Sequence, residues 1–281
     1  MSDLVLRRIP FNFDDVEFVW NPGNPTFSMM MNAVTFQAIG FEKYMCLAMR
    51  DAEAVITDPA VLEEARLFRA QESVHSNAHR VHVKALVGRY PGLQDVLDES
   101  VAGFEALYAS EDLPFHLAYA ANIEATFTPL FGTIIENRDA LFSGGDPRIA
   151  ALMLWHFCEE IEHRNSALKI YNHVVGDRFY RTKQLKKVFG HIGANAAKIN
   201  AGFRKHVPEI PESAHQSAVK ALPIPFAHKA RLILGILESQ TPWHNAEKSR
   251  VPAYYKTWRG RYEQGQDMSV LNDLSLLAAH A

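Results

Sequence analysis

The sequence predicts an all-α fold: a bundle of four long helices with one long crossover and additional C-terminal helices. Three observations lead there. Apolar residues recur near helical spacing over long windows, and strand-like alternation is evident nowhere. Asp58-Pro59 and Asp146-Pro147 each join an N-cap carboxylate to a proline at the first helical position. The stretches that follow are long and end in glycine- or proline-containing turns.

Residues 1–27 read as an extended lead-in, because Pro10, Pro22, Gly23 and Pro25 interrupt any helix. The first helix is predicted from Ser28 to Met49, with Ala33, Phe36, Ile39 and Tyr44 near turn spacing and Gly40 as a weak point. The second runs from Pro59 to about Arg89, where Tyr90-Pro91-Gly92 stops it; ~30 residues make ~45 Å of helix. Residues 92–112 suggest a short helix and loops. The third long helix starts at Asp112 or Leu113 and reaches Phe142, before Ser143-Gly144-Gly145. The fourth runs from Pro147 to Gly176. Beyond it, 177–205 and 225–240 suggest helices, Pro223-Ile224-Pro225 a hinge or sharp turn, 241–260 irregular chain, and the tail a short helix at most.

Short connections set the first and second helices antiparallel, and likewise the third and fourth. Roughly twenty residues between the second and third allow a return along the bundle, which is the ferritin-like connectivity. The expected organisation is one domain over 1–281, with the bundle at 28–176 and a helical extension at 177–281.

Composition narrows the functions. Of the 281 residues 48% are hydrophobic and 22% charged, enough to bury a full core. A net charge of −3 argues against nucleic acid as a partner. Two cysteines, Cys46 and Cys158, cannot form a disulfide framework, and the first residues do not read as a secretory signal, so a cytoplasmic location is expected. No apolar run nears the ~20 residues of a membrane span; the richest, Ile149 to Trp155, stops at His156.

The chemistry is concentrated on four helices. Glu72 and His75 form a Glu-x-x-His pair on the second, and Glu160 and His163 form another on the fourth. Residues three apart share a helix face. The first and third helices each offer a mid-length glutamate, Glu42 and Glu124. The chain therefore reads Glu, Glu-x-x-His, Glu, Glu-x-x-His, the inward-facing pattern of carboxylate-bridged dimetal proteins. Four carboxylates can neutralise and bridge two divalent ions, and the imidazoles complete coordination without adding charge. This donor set without thiolate suits iron or manganese, with zinc also possible. A single such pair is what chance supplies. Two pairs at mid-helix, each preceded by a helix with a central glutamate, are not. A solvated amphipathic face explains Glu63, Glu64 and Glu136 better than it explains these six.

His79 and His156 continue the two stripes and are expected as further ligands; His82 extends the first stripe as an outer group or alternative ligand. Glu159 is the alternative to Glu160 for the inward position, and Glu162 points away. Thr128, one turn after Glu124, is a candidate substrate neighbour, although a hydrogen bond back to its own helix explains it equally well.

Three segments carry a family resemblance: Gly40-Phe41-Glu42-Lys43-Tyr44, the run from Phe68 to Arg80 with its Gln71-Glu72-x-x-His75-x-x-x-His79 core, and Trp155-His156-x-x-Glu159-Glu160-x-Glu162-His163. They resemble the bacterial "predicted metal-dependent hydrolase" family, placed in the ferritin-like superfamily, and the likeness covers most of 28–240. The family's usual Gly-Glu is split here by Phe41. Some relatives resemble His-rich non-haem diiron hydroxylases acting on lipid-like or carrier-linked acyl substrates.

Three functions follow as expectations. The first is an O2-dependent diiron hydroxylase or monooxygenase on a hydrophobic substrate, such as an acyl-CoA or another carrier-linked acyl group, with an external electron donor. Phe36, Phe68, Phe127, Phe131, Trp155 and Phe157 could line its channel, although core packing explains most of them. The second is a binuclear metal-dependent hydrolase. The third is a non-enzymatic iron-binding bundle, against which the ~100 residues after Gly176 argue; they suggest a lid, a substrate cap or an oligomer interface such as a homodimer's. Between Asp177 and Lys205 the basic residues read as a solvated face or as an attractor for an anionic carrier.

Overall fold

The computed structural model describes residues 4–215 and 222–271, and all regular structure among them is helical. The bundle is formed by α1 (Pro25–Glu53), α2 (Pro59–Arg89), α4 (Leu113–Glu136) and the pair α6 (Pro147–Glu162) and α7 (Ser166–Val174). Each long helix begins with the same device. Asn24, Asp58, Asp112 and Asp146 cap orphan amides with their side chains, and a proline fills the first or second helical position.

Side-chain pairings fix the directions. Ile39 lies against Ser76 and Glu53 against Arg69, so α1 and α2 are antiparallel. His79 meets His156 and His75 meets Glu159, so α2 and α6 are antiparallel. Phe131 stacks on Phe157 at 4.0 Å and Glu124 meets His163, so α4 also runs against α6. Consequently α2 and α4 are parallel, and the chain between them crosses the length of the bundle as expected.

That crossover is not a short helix with loops. It is α3 (Leu93–Ser110), 18 residues whose buried face of Val96, Leu97, Ser100, Phe104 and Leu107 packs on α1. Gly40 admits it: a Cβ there would meet Phe104 Cδ2 at 2.7 Å and the Val101 Cα at 3.3 Å. The third helix ends at Glu136 and resumes as α5 (Arg138–Phe142), because Asn137 turns out of helical geometry. The fourth breaks at His163, so α6 and α7 replace one helix to Gly176. The first helix is longer than expected at both ends.

After α7, α8 (Arg178–Lys183) and α9 (Leu185–His206) lead back over the bundle, and α9 packs on α3 and α1. α10 (Phe226–Ser239) lies on α4. The stretch expected to be irregular holds α11 (Ala253–Glu263), which packs on α4 and α6. The expected tail helix lies outside the described residues. No described helix is long and apolar enough to cross a membrane.

Apolar packing falls into two clusters. One holds Phe36, Ile39, Val83, Leu86, Phe131 and Ile149; the other holds Tyr44, Met45, Ala65, Phe68, Leu117 and Ile170. On α2 the interval between Phe68 and Val83 carries Glu72, His75, His79 and His82, and on α4 Glu124 lies between Ile123 and Phe131. The lead-in covers the first cluster with Phe11, Phe13, Phe18 and Trp20, and Asn32 holds it by donating to the Phe18 carbonyl at 2.8 Å.

Gly40→Val should force α3 off α1. Overpacking of this kind costs about 1–3 kcal/mol, more than the fraction that valine gains over glycine in helix propensity. A lowered midpoint in urea unfolding checks it.

Candidate metal centre

The layer between the two apolar clusters contains two groups of close ligand-type atoms: Glu72, His75, Glu160 and His163, and Glu42, His79 and His156. All seven are buried. The groups adjoin. Glu160 Oε1 lies 2.9 Å from His156 Nε2, 3.5 Å from His75 Nδ1 and 3.6 Å from His163 Nε2. His156 Nε2 also approaches Glu42 Oε1 at 3.3 Å, and its Nδ1 hydrogen-bonds His79 Nε2 at 2.8 Å. His163 Nε2 is 3.4 Å from Glu72 Oε1, and its Nδ1 is 3.3 Å from Glu124 Oε2. Glu124 therefore borders the first group.

Many of these atoms have no hydrogen-bond partner in the protein: both oxygens of Glu72 and of Glu124, one of Glu42, one of Glu160, His75 Nδ1, His79 Nδ1 and both nitrogens of His163. Each buried polar atom left unmatched costs ~1–3 kcal/mol. Divalent cations would satisfy carboxylate oxygens and imidazole nitrogens together, and this donor set fits them.

Titration behaviour agrees. Burial, then repulsion from Glu124, holds the Glu42, Glu72 and Glu160 carboxyls well above the ordinary glutamate range. Burial, then the neighbouring imidazoles, holds His75 and His156 well below theirs; burial pushes His79 down to about 3. These directions favour the uncharged forms of Glu42, Glu72, Glu160, His75, His79 and His156 when no cation is bound.

One imidazole is held from behind. Glu159 Oε2 takes His75 Nε2 at 2.8 Å, which turns Nδ1 toward Glu160. Arg7 of the lead-in donates to Glu159 Oε1 at 3.0 Å and to both oxygens of Glu162 at 2.7 and 2.8 Å. Its guanidinium is buried between the Trp258 and Tyr262 rings of α11, each 5.1 Å away, and Tyr255 donates to Glu162. Glu159 is thus outside the ligand groups, and Glu162, set aside in the sequence as outward-pointing, anchors this support. Arg7 carries no periodicity that could have marked it. Glu162 could have been suspected from the run of three acids in five residues at 158–162.

Two expected residues are not brought in. His82 is buried against Phe13, ring centroids 5.1 Å apart, and belongs to neither group. Thr128 lines a small cavity of about 170 Å³ between α4 and α10, because the helix turns it away from the face carrying Thr126 and Phe127. Of the aromatic residues considered for a channel, Phe127 and Phe131 line a cleft of about 610 Å³ that reaches Glu42 and His156. Phe36, Phe68, Trp155 and Phe157 pack in the apolar clusters instead.

The pH dependence of the metal-free chain follows from these shifts. A raised carboxyl stabilises the fold fully below its unfolded value of 4.5, and that contribution is lost as pH rises toward the folded value. A depressed imidazole contributes fully above 6.5 and is lost as pH falls toward about 3. Above pH 6.5 only the carboxyl effect remains. The melting temperature of chelator-treated protein should therefore fall from pH 6.5 to about 8.5, while metal-loaded protein resists the fall. A gap that fails to widen in thermal scans would contradict the upward shift of the Glu42, Glu72 and Glu160 carboxyls.

No curated protein and no solved structure matches the chain significantly. The sequence does match the family described as "Predicted metal-dependent hydrolase", over residues 5–247. That match spans α1 to α10 and every residue of both ligand groups. The chain belongs to this predicted metal-dependent hydrolase family.

Proposed function

We propose that the chain is a dimetal enzyme, with Glu72, His75, Glu160 and His163 holding one ion and Glu42, His79 and His156 the other. The observation that carries this is the position of Glu160 Oε1, within 3.6 Å of one imidazole of the second group and two of the first. A carboxylate so placed can bridge. Glu124 would complete the first ion's set through its unmatched oxygens.

The reading supported best is a diiron oxygenase acting on an apolar substrate. Iron in such a set supplies redox chemistry toward O2. The protein's part is positioning and exclusion. Carboxylates balance the ions' charge, and Glu42, Glu72 and Glu160 release protons as ions enter. Glu159 and Arg7 hold His75 in one orientation. Phe127, Leu130 and Phe131 present hydrocarbon beside His156 and Glu42, which keeps water sparse where a C–H group would lie.

The family description favours a second reading, in which two metals activate water for hydrolysis. The two separate by experiment. Purified protein is expected to contain about two irons per chain, and its reduced form to consume O2. Zinc as the native metal, with hydrolysis of model esters or phosphates in the absence of O2, would establish the hydrolase instead.

Glu160→Ala removes the shared carboxylate and should reduce loading from two ions to fewer than one. Metal analysis of the folded variant checks this, and unchanged loading would remove Glu160 from the ligand set. Arg7→Ala should weaken metal retention about 10–100-fold, the usual range for groups that orient a ligand. Competition with a chelator measures it.

A further inference from the structure

The cleft that reaches the centre is built for a particular shape of ligand. It lies between α1, α4 and α9, and about 610 Å³ is within the ~300–1,000 Å³ of small-molecule sites. On α1 its lining extends from Thr26 to Glu42, a separation of sixteen positions or ~24 Å of helix. Met30, Val34, Ile123, Phe127, Leu130 and Phe131 are among the apolar residues of its wall. Several polar residues on that wall turn their donors elsewhere. Thr126 donates to the Ile123 carbonyl, Thr26 to that of Ser213, and the Asn200 amide to that of Ala196. The threonines therefore offer methyl groups, and the wall is more apolar than its composition.

The candidate metal ligands and a cationic side chain lie at opposite ends of the cleft. His191 of α9 meets Tyr119 and Phe104, which flank Phe41 and Tyr44, so this part of α9 is level with Glu42. Arg204 also lines the cleft and follows Ile192 by twelve residues, ~18 Å along the helix. It is exposed, as is Lys205 beside it.

We propose that this cleft binds an elongated apolar molecule with one anionic end, the anion at Arg204 and the hydrocarbon end against Glu42 and His156. Binding stands independently of the metal chemistry, whereas the consequence for reaction rests on the dimetal reading above. The atoms offered to the centre are those remote from the charged group. An ester or phosphate at the charged end would lie far from the metals, and a C–H bond at the apolar end would lie near them.

The test uses the full chain as purified, with dodecanoate and 1-dodecanol displacing a fluorescent apolar reporter. Dodecanoate should bind with a Kd of about 1–100 µM, a normal range for a small apolar ligand. Arg204→Glu, at an exposed position, should weaken dodecanoate at least tenfold and leave dodecanol within twofold. Ala196→Trp, which narrows the cleft, should weaken both while the melting temperature holds. Equal effects of Arg204→Glu on both ligands, or binding indifferent to Ala196→Trp, would overturn the assignment. Orientation is read separately on manganese-loaded protein. The terminal methyl resonance of dodecanoate should relax faster than the methylene beside the carboxylate, and the reverse order would overturn the end-on arrangement. Failure to bind manganese would count against the metal reading alone, and the Arg204→Glu contrast would still decide the cleft. Binding without O2 consumption by the reduced iron form would leave this inference standing and remove the oxygenase.

Discussion

The cost of taking charge out of water governs this molecule. Four helices bring Glu42, Glu72, Glu124 and Glu160 into one layer with four histidines, closed above and below by apolar side chains. Ionised carboxylates in such a place cost several kcal/mol each unless a partner compensates them. In the metal-free protein burial shifts Glu42, Glu72 and Glu160 toward their protonated forms and His75, His79 and His156 toward their neutral ones. A cation answers better, since it turns mutual repulsion among carboxylates into shared attraction. Helix spacing, the two-part core and the hydrogen bonds behind His75 all serve to hold this layer in register.

How much of this could be read in advance depends on the range of the interaction responsible. Capping is local, and so Asp58-Pro59 gave the start of α2 and Tyr90-Pro91-Gly92 its end. The Glu-x-x-His pairs were equally legible, because residues three apart on a helix must share a face. α3 was underestimated: Gly103 and its acidic residues concealed the apolar face that α1 requires. The break at His163 has no side-chain cap to announce it. α11 is polar on average and is held by what it covers, with Trp258 and Tyr262 around Arg7. Contacts between residues 7 and 258 leave no trace in spacing.

The site residues divide in the same way. Wheel geometry grouped His79 with Glu72 and His75, and His156 with Glu160, and the fold brings those five together. It also extended the stripe to His82, where accumulated rotation had already carried the ring to Phe13. Thr128 illustrates a finer limit: one turn from Glu124 is near in sequence, yet a rotation of ~40° is enough to place a side chain on another wall. The apolar cleft was invisible as an entity, because it is formed jointly by α1, α4 and α9.

The position of Arg7 has a consequence for biosynthesis. Its shell combines residue 7 with residues 159, 162, 255, 258 and 262, which are synthesised much later. Glu162 is made about a hundred residues before Tyr262, a delay of roughly 5–20 s at about 5–20 residues per second. Throughout that interval every glutamate and histidine of the layer already exists, while the wall behind His75 still lacks α11. During synthesis the layer's side chains are therefore present before the rings of Trp258 and Tyr262 that enclose Arg7. The residues that would hold an ion are thus all synthesised before the helix that closes the wall behind His75.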